Sequence, residues 1–186
     1  ITGTVSVSDK DVGDTLTASI ASGPVVKLDG NAYTLPTGAN PLTATGALSF
    51  GTAATSDGGA KTIGWTYDPA AANLDFLREG QSLTLTYTVK VGDGTDNSST
   101  RDLVVTITGK NDGPVLSAIT APTAVVEVSD ASAQDITALT GNLSVSDKDV
   151  GDTLTAVIDS GPVVKLNGNA YTLPTGANPL TATGAL

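Results

Sequence analysis

Ser82-Leu83-Thr84-Leu85-Thr86-Tyr87-Thr88-Val89-Lys90-Val91 alternates apolar and polar side chains without a break. A period of two belongs to a strand with one face buried and one wet. It predicts Leu83, Leu85, Tyr87, Val89 and Val91 facing a core, with Thr84, Thr86, Thr88 and Lys90 facing solvent. Gly92–Ser99 is rich in Gly, Asp, Asn and Ser and reads as a turn. The alternation then returns over Thr100–Thr108, with Leu103, Val105 and Ile107 inward. Two such runs joined by a short polar turn predict an antiparallel pair and point to an all-β chain.

Toward the N-terminus the same period predicts strands at Thr4–Ser8, Thr15–Ile20 and Lys61–Tyr67, and a weaker one at Leu48–Thr52. Val25–Leu28 and Ala32–Leu35 flank Asp29-Gly30, a pair suited to a type I′ hairpin turn. Residues 36–47 form a Thr/Gly/Pro/Asn loop, and Pro69–Gly80 is a connection with room for one helical turn. Ile63, Trp65 and Tyr67 share one face; their alternation with Thr places them and Tyr87 in a core rather than on a sugar-binding platform. Toward the C-terminus, Gly109-Lys110-Asn111-Asp112-Gly113-Pro114 is a stiff polar joint. Beyond it, Thr123–Val128 is expected as the first strand of a new domain, and Asn142–Ser146 repeats Thr4–Ser8. The sum is a β-sandwich with about seven to nine strands per domain.

Residues 1–48 and 139–186 align without a gap at an offset of 138 and differ at only 6 of 48 positions. One of the differences turns Asp29-Gly30 into Asn167-Gly168, which keeps the hairpin turn. The chain is therefore one period of 138 residues plus 48 of the next. The expected division is 1–112 for a first sandwich lacking its N-terminal strand, and 113–186 for the first half of the next. The absence of an initiator Met suggests a window cut from a longer chain. A missing edge strand leaves backbone groups unpaired, so another copy of the chain is a candidate partner at that edge.

Lys plus Arg number 9 and Asp plus Glu 19, giving a net charge of −10. No basic patch is available for phosphates, which argues against nucleic acid and against anionic membranes. No apolar run is long enough to span a bilayer. With no Cys and no His, the usual zinc, iron and copper ligands and any Ser-His or Cys-His catalytic pair are missing. The excess of carboxylates suggests divalent cations as stabilisers. Paired carboxylates can hydrolyse glycosides, but Asp9 and Asp11 sit in a repeated turn without an evident cleft, so the chain is expected not to be an enzyme.

Three stretches carry a resemblance. They are Gly141–Thr155 with its Asp147-Lys148-Asp149-Val150-Gly151-Asp152, Leu74–Val89 with its Arg78-Glu79-Gly80-Gln81, and Val105–Val115 across the joint. Together they resemble the VCBS repeat of giant bacterial surface proteins, which has cadherin-like and Ig-like relatives. The resemblance covers essentially the whole period, with Pro24–Ala47 as an insertion relative to the shorter form. It implies tandem Ig-like or cadherin-like sandwiches that act as extender modules of a large RTX-type adhesin. Such proteins leave by type I secretion and work at the cell surface in adhesion and biofilm formation, with neighbouring repeats as the modules' partners.

The sandwich geometry also predicts where the acids meet. The connection carrying Asp75 and Glu79, the joint residues Asn111 and Asp112, and the turn carrying Asp147, Asp149 and Asp152 should converge. A hard cation that takes six to eight oxygens, Ca2+ above all, suits that set. The spacing from Asp112 to Asp147 is 35, and it resembles a cadherin linker followed by its Asp-x-Asp. Asp9, Asp11, Asp14 and Asp93 should form the matching half-site of the first copy, and Glu127 should face the next joint. Cadherins carry acids where this chain has Lys110 and Leu77, which implies fewer ions per joint. Asp-Lys-Asp-Val-Gly-Asp also reads simply as a polar turn. The leading expectation is a calcium-stiffened spacer. A filament or surface-layer subunit and a carbohydrate-binding accessory domain are the alternatives.

Overall fold

The computed structural model describes residues 1–120, 122, 124–126, 129 and 138–177. It is all-β, and it falls into two compact units, Ile1–Asp152 and Thr153–Leu186. The first unit contains β1 (Thr2–Ser8), β2 (Thr15–Leu28), β3 (Asn31–Ala32), β4 (Leu48–Phe50), β5 (Ala54–Thr55), β6 (Ala60–Tyr67), β7 (Ser82–Gly92), β8 (Arg101–Thr108), β9 (Val115–Ile119) and β10 (Leu143–Ser146). One helical piece interrupts the strands among the described residues, a 3-10 turn at Asn40–Thr43. The second unit holds a short hairpin, β11 (Lys165–Leu166) with β12 (Asn169–Ala170).

Two antiparallel sheets face each other. One has the order β1-β6-β4; the other runs β3-β2-β7-β8, with β5 also on β2. β7 alternates as its sequence dictates: Leu83, Leu85, Tyr87 and Val89 are buried, and the intervening Thr and Lys side chains are only partly covered. β8 runs against it through eight residue pairs, from Ser82↔Thr108 to Val89↔Arg101. Opposite them, β6 turns Ile63 and Tyr67 inward. Trp65 is half-buried against the same core.

The strand expected to end at Ile20 does not end there. β2 continues to Leu28, with register irregularities around Ser22 and Val25, where Gly23-Pro24 is accommodated. The hairpin turn has the predicted handedness, since Asp29 and Gly30 have φ of 49° and 82°. Asn167 and Gly168 in the second copy repeat it at 49° and 83°. The return strand is Asn31–Ala32, extended by one bond from the Tyr33 N–H to the Val26 carbonyl at 3.1 Å, so it is shorter than expected.

The loop at residues 36–47 is not a surface loop alone. Ala39 and Leu42 are fully buried in the larger apolar cluster with Tyr67, Leu83, Leu85 and Val105. The Leu42 carbonyl accepts hydrogen bonds from Tyr67 Oη at 2.8 Å and Tyr87 Oη at 3.4 Å. Two phenols in an apolar core need partners, and this one carbonyl supplies both. Burial raises the pKa of both tyrosines, with the neighbouring Tyr87 adding to the effect on Tyr67. A smaller cluster of Val7, Leu16, Ala18 and Ile63 lies toward the other end of the sandwich.

After the joint, the first strand is Val115–Ile119 and not Thr123–Val128. Residues 123, 127 and 128 lie outside the described residues, while 124–126 are not in a strand. β9 pairs antiparallel with β10, the copy of the end of β1, with a bulge between Ser144 and Val145.

Candidate functional site

The joint lies within the first unit, and three segments meet there. Gly109 passes against the connection after Pro69 so closely that a Cβ would collide with the carbonyl oxygens of Leu77 and Arg78. Only glycine permits that approach. Gly109 N–H is held by the Gln81 carbonyl at 3.0 Å. Two residues on, the Asp112 N–H donates to Asp149 Oδ2 at 2.8 Å. The Asp149 N–H in turn donates to Asp147 Oδ1 at 3.0 Å, closing a tight Asx turn.

Asp149 is 3% exposed, and its second oxygen, Oδ1, is buried without a hydrogen-bond partner among the described residues. A buried carboxylate oxygen without a donor is costly unless something positive meets it. The same turn occurs in the first copy, where the Asp11 N–H donates to Asp9 Oδ1 at 3.0 Å. There Asp11, the counterpart of Asp149, is exposed. The two copies share the turn; the second also has the Asp112 backbone, Arg78 and Asp75 set against it.

The remaining acids of the joint are divided between roles. Asp75 lies 3.5 Å from Lys148 Nζ, and Asp152 lies 3.7 Å from Arg78 Nη1. Both pairs are substantially exposed, so each contributes little on its own. The two pairs place the connection beside the turn. Glu79 is exposed and enters none of the joint's hydrogen bonds or ion pairs among the described residues. Asn111 is also exposed, and its amide donates to the Asp112 carbonyl at 3.0 Å. The cationic partners Arg78 and Lys148 were not foreseen; their signal was adjacency to acids counted only as ligands.

At the opposite end of the sandwich, Asp9, Asp14 and Asp93 each offer a carboxylate oxygen within 4.8 Å of the other two. Among the described residues this is the one cluster of three such acids. Topology explains it: Asp9 follows β1, Asp14 precedes β2, and Asp93 follows β7. Asp11, expected in the same half-site, is not part of the triad. Ser56, 2% exposed, fixes the loop between β1 and β2. Its hydroxyl donates to the Asp9 carbonyl at 3.0 Å, and its N–H to the Asp14 carbonyl at 2.8 Å. Asp93 Oδ1 accepts the N–H groups of Asp96 and Thr95, both at 2.7 Å. These bonds hold its carboxyl below the usual carboxylate range, with a smaller contribution from Asp9. Glu127 lies outside the described residues.

Three carboxylates so close together repel one another, and a divalent cation with oxygen ligands relieves that repulsion. The donor chemistry at both ends is hard oxygen, which suits Ca²⁺ or Mg²⁺ and not a thiophilic metal. No protein-family model, curated protein or solved structure matches the chain. No helix among the described residues is long and apolar enough to cross a membrane.

Proposed function

We propose that the chain is a structural extender repeat of a large bacterial cell-surface adhesin, working outside the cell. In this reading calcium at the joint between repeats stiffens the array. The observation that carries it is Asp149: a carboxylate buried by the linker of the preceding repeat, with one oxygen held by Asp112 and the other unmet. Asp149 takes the Asp112 N–H from the linker and lies in the Asx turn closed by Asp147, so an ion bound at its second oxygen would tie the linker to the following turn. Asp147 and Asp149 would hold the ion, with Asp112 beside them. Asp9, Asp14 and Asp93 would do the same below a preceding linker. The affinity expected of extracellular modules is weak, with Kd of roughly 10⁻⁴–10⁻³ M. The acidic composition and the near-identical repeat, 42 of 48 positions, suit a modular spacer.

The test is melting and small-angle scattering of the chain in calcium and after EDTA. The expected outcome is a lower melting temperature and a broader distance distribution once calcium is removed. If neither changes, calcium does not stiffen the joint.

A further inference from the structure

The Asp29-Gly30 turn of the first copy returns as Asn167-Gly168 in the second, on the same backbone: φ is 49° and 82° in one, 49° and 83° in the other. The hairpins close alike, through Leu28↔Asn31 and Leu166↔Asn169. In each, the next Asn amide donates to the carbonyl of the first turn residue, at 3.3 and 3.4 Å. The position therefore accepts a carboxylate or an amide without a change of fold. Both turns are exposed. In the first copy the exposure persists although the sandwich is formed around it, with Asp29 bonded to the start of β7. Accessibility is thus a property of the turn and not of what lies near Asn167.

Asn167-Gly168 is the one Asn-Gly pair in the sequence; every other Asn precedes Ala, Pro, Leu, Ser or Asp. The turn itself selects the pair, since two successive positive φ values favour Asn or Asp and then Gly. The same pair is set up for an intramolecular reaction. Gly168 has no side chain to crowd its nitrogen, and nothing lies within 4 Å of where a Cβ would stand. Among the described residues its N–H donates no hydrogen bond. We propose that Asn167 is a site of spontaneous deamidation. The Gly168 nitrogen loses its proton and attacks Asn167 Cγ. The new C–N bond closes a succinimide ring, and the side-chain nitrogen leaves as ammonia. Water then adds to one of the two ring carbonyls and breaks its bond to nitrogen. Opening at Cγ gives aspartate; opening at the backbone carbonyl gives isoaspartate. Water is consumed, ammonia is released, and nothing is oxidised or reduced.

The first copy shows what the aspartate product does. Asp29 Oδ1 accepts the Ser82 N–H at 2.8 Å, and Oδ2 faces Gln81 Nε2 at 3.4 Å. Gln81 Oε1 is taken by the Arg78 N–H at 3.1 Å, so Gln81 turns its NH2 group toward the hairpin. A carboxylate answers both donors, whereas an amide in the same pose sets its own NH2 group against one of them. Opening to aspartate makes the turn of the second copy chemically identical to that of the first and adds one negative charge. Opening to isoaspartate inserts a methylene into the backbone between Leu166 and Asn169 and lengthens the loop. The inference rests on the turn alone, not on calcium and not on the extender reading.

The chain is aged in heavy-oxygen water at mildly alkaline pH, sampled over time, cleaved after Lys165 and read by mass spectrometry. Asn167 is expected to exchange its NH2 group for one heavy hydroxyl, as a mixture of aspartate and isoaspartate. Conversion should be many-fold faster than at Asn31 and Asn169, which sit in the same two hairpins but precede Ala. The variant Asp29→Asn places the reactive pair inside the formed sandwich. It should convert as well, several-fold more slowly, because the Ser82 N–H must first release the side chain. An intact Asn167, conversion no faster than at Asn31 and Asn169, or conversion without uptake of heavy oxygen would each overturn the proposal. So would an unreacted amide at position 29 of the variant once Asn167 has fully converted, because the reactivity would then belong to the surroundings of Asn167 and not to the turn.

Discussion

Replacing Asp149 by Asn keeps an oxygen for the Asp112 N–H but removes the charge from a side chain that is 3% exposed. In calcium-free buffer the change weakens one charge-assisted hydrogen bond by about 1 kcal/mol but also removes the cost of a buried, unmet charge, so the two effects offset and stability should change little. In calcium the difference should be larger. An ion with Kd of roughly 10⁻⁴–10⁻³ M, supplied at about 10 mM, stabilises the folded state by about 1.4–2.7 kcal/mol. For a unit of 152 residues, each kcal/mol moves Tm by about 2–4 °C. The wild-type chain should therefore melt about 3–11 °C higher in calcium, and Asp149→Asn should lose most of that increment. Asp11→Asn is the internal control, the same residue in the same Asx turn but exposed. It should retain the wild-type calcium response at the joint. Differential scanning calorimetry at matched ionic strength reads all three proteins. An equal calcium shift in wild type and Asp149→Asn would refute the assignment of the buried oxygen to an ion.

Gly109→Ala should cost about 1–3 kcal/mol by urea denaturation, because its methyl group meets backbone oxygens that cannot swing away; the calcium increment should shrink with it. Tyr67→Phe should cost about 1 kcal/mol, and adding Tyr87→Phe should cost more than the sum of the singles. The double variant leaves the buried Leu42 carbonyl without either phenol. The Asp93 carboxyl should titrate by NMR below its ordinary value of 3.8. Because the folded-state pKa is lowered, the turn it anchors is fully supported above the unfolded value and loosens as pH falls through the folded one. Titration at or above the ordinary value would mean that the Thr95 and Asp96 N–H bonds do not form in solution.

Much of the sandwich was legible because its strands alternate. In β6, β7 and β8 the side-chain period and the buried face coincide, so pattern alone assigns both. Residues 39–42 were not legible as core. Their polar neighbourhood reads as a loop, and Leu42 is buried by packing against residues far away in sequence, among them the two tyrosines that bond its carbonyl. The continuation of β2 past Gly23-Pro24 was hidden by residues that normally end strands. Val115–Ile119 was hidden too: it follows a proline, its alternation is faint, and its pairing contains a bulge. At the sites, the meeting of Asp9, Asp14 and Asp93 followed from where their strands end. The partition of the joint acids did not. Charge counting cannot tell a ligand from half of an ion pair, and Asp75 and Asp152 turned out to face Lys148 and Arg78.

The β7–β8 ladder has a mechanical consequence. β8 ends at Thr108, and the chain passes from it through Gly109 and Lys110 to Asn111 and Asp112. A pull applied through Asn111 and Asp112 therefore loads the ladder in shear. Its eight residue pairs bear tension together rather than peeling one after another. Loaded this way, the ladder holds until a whole row of backbone bonds gives at once, and the buried side of that row is the Leu83–Val89 stripe with which the sequence announces the fold.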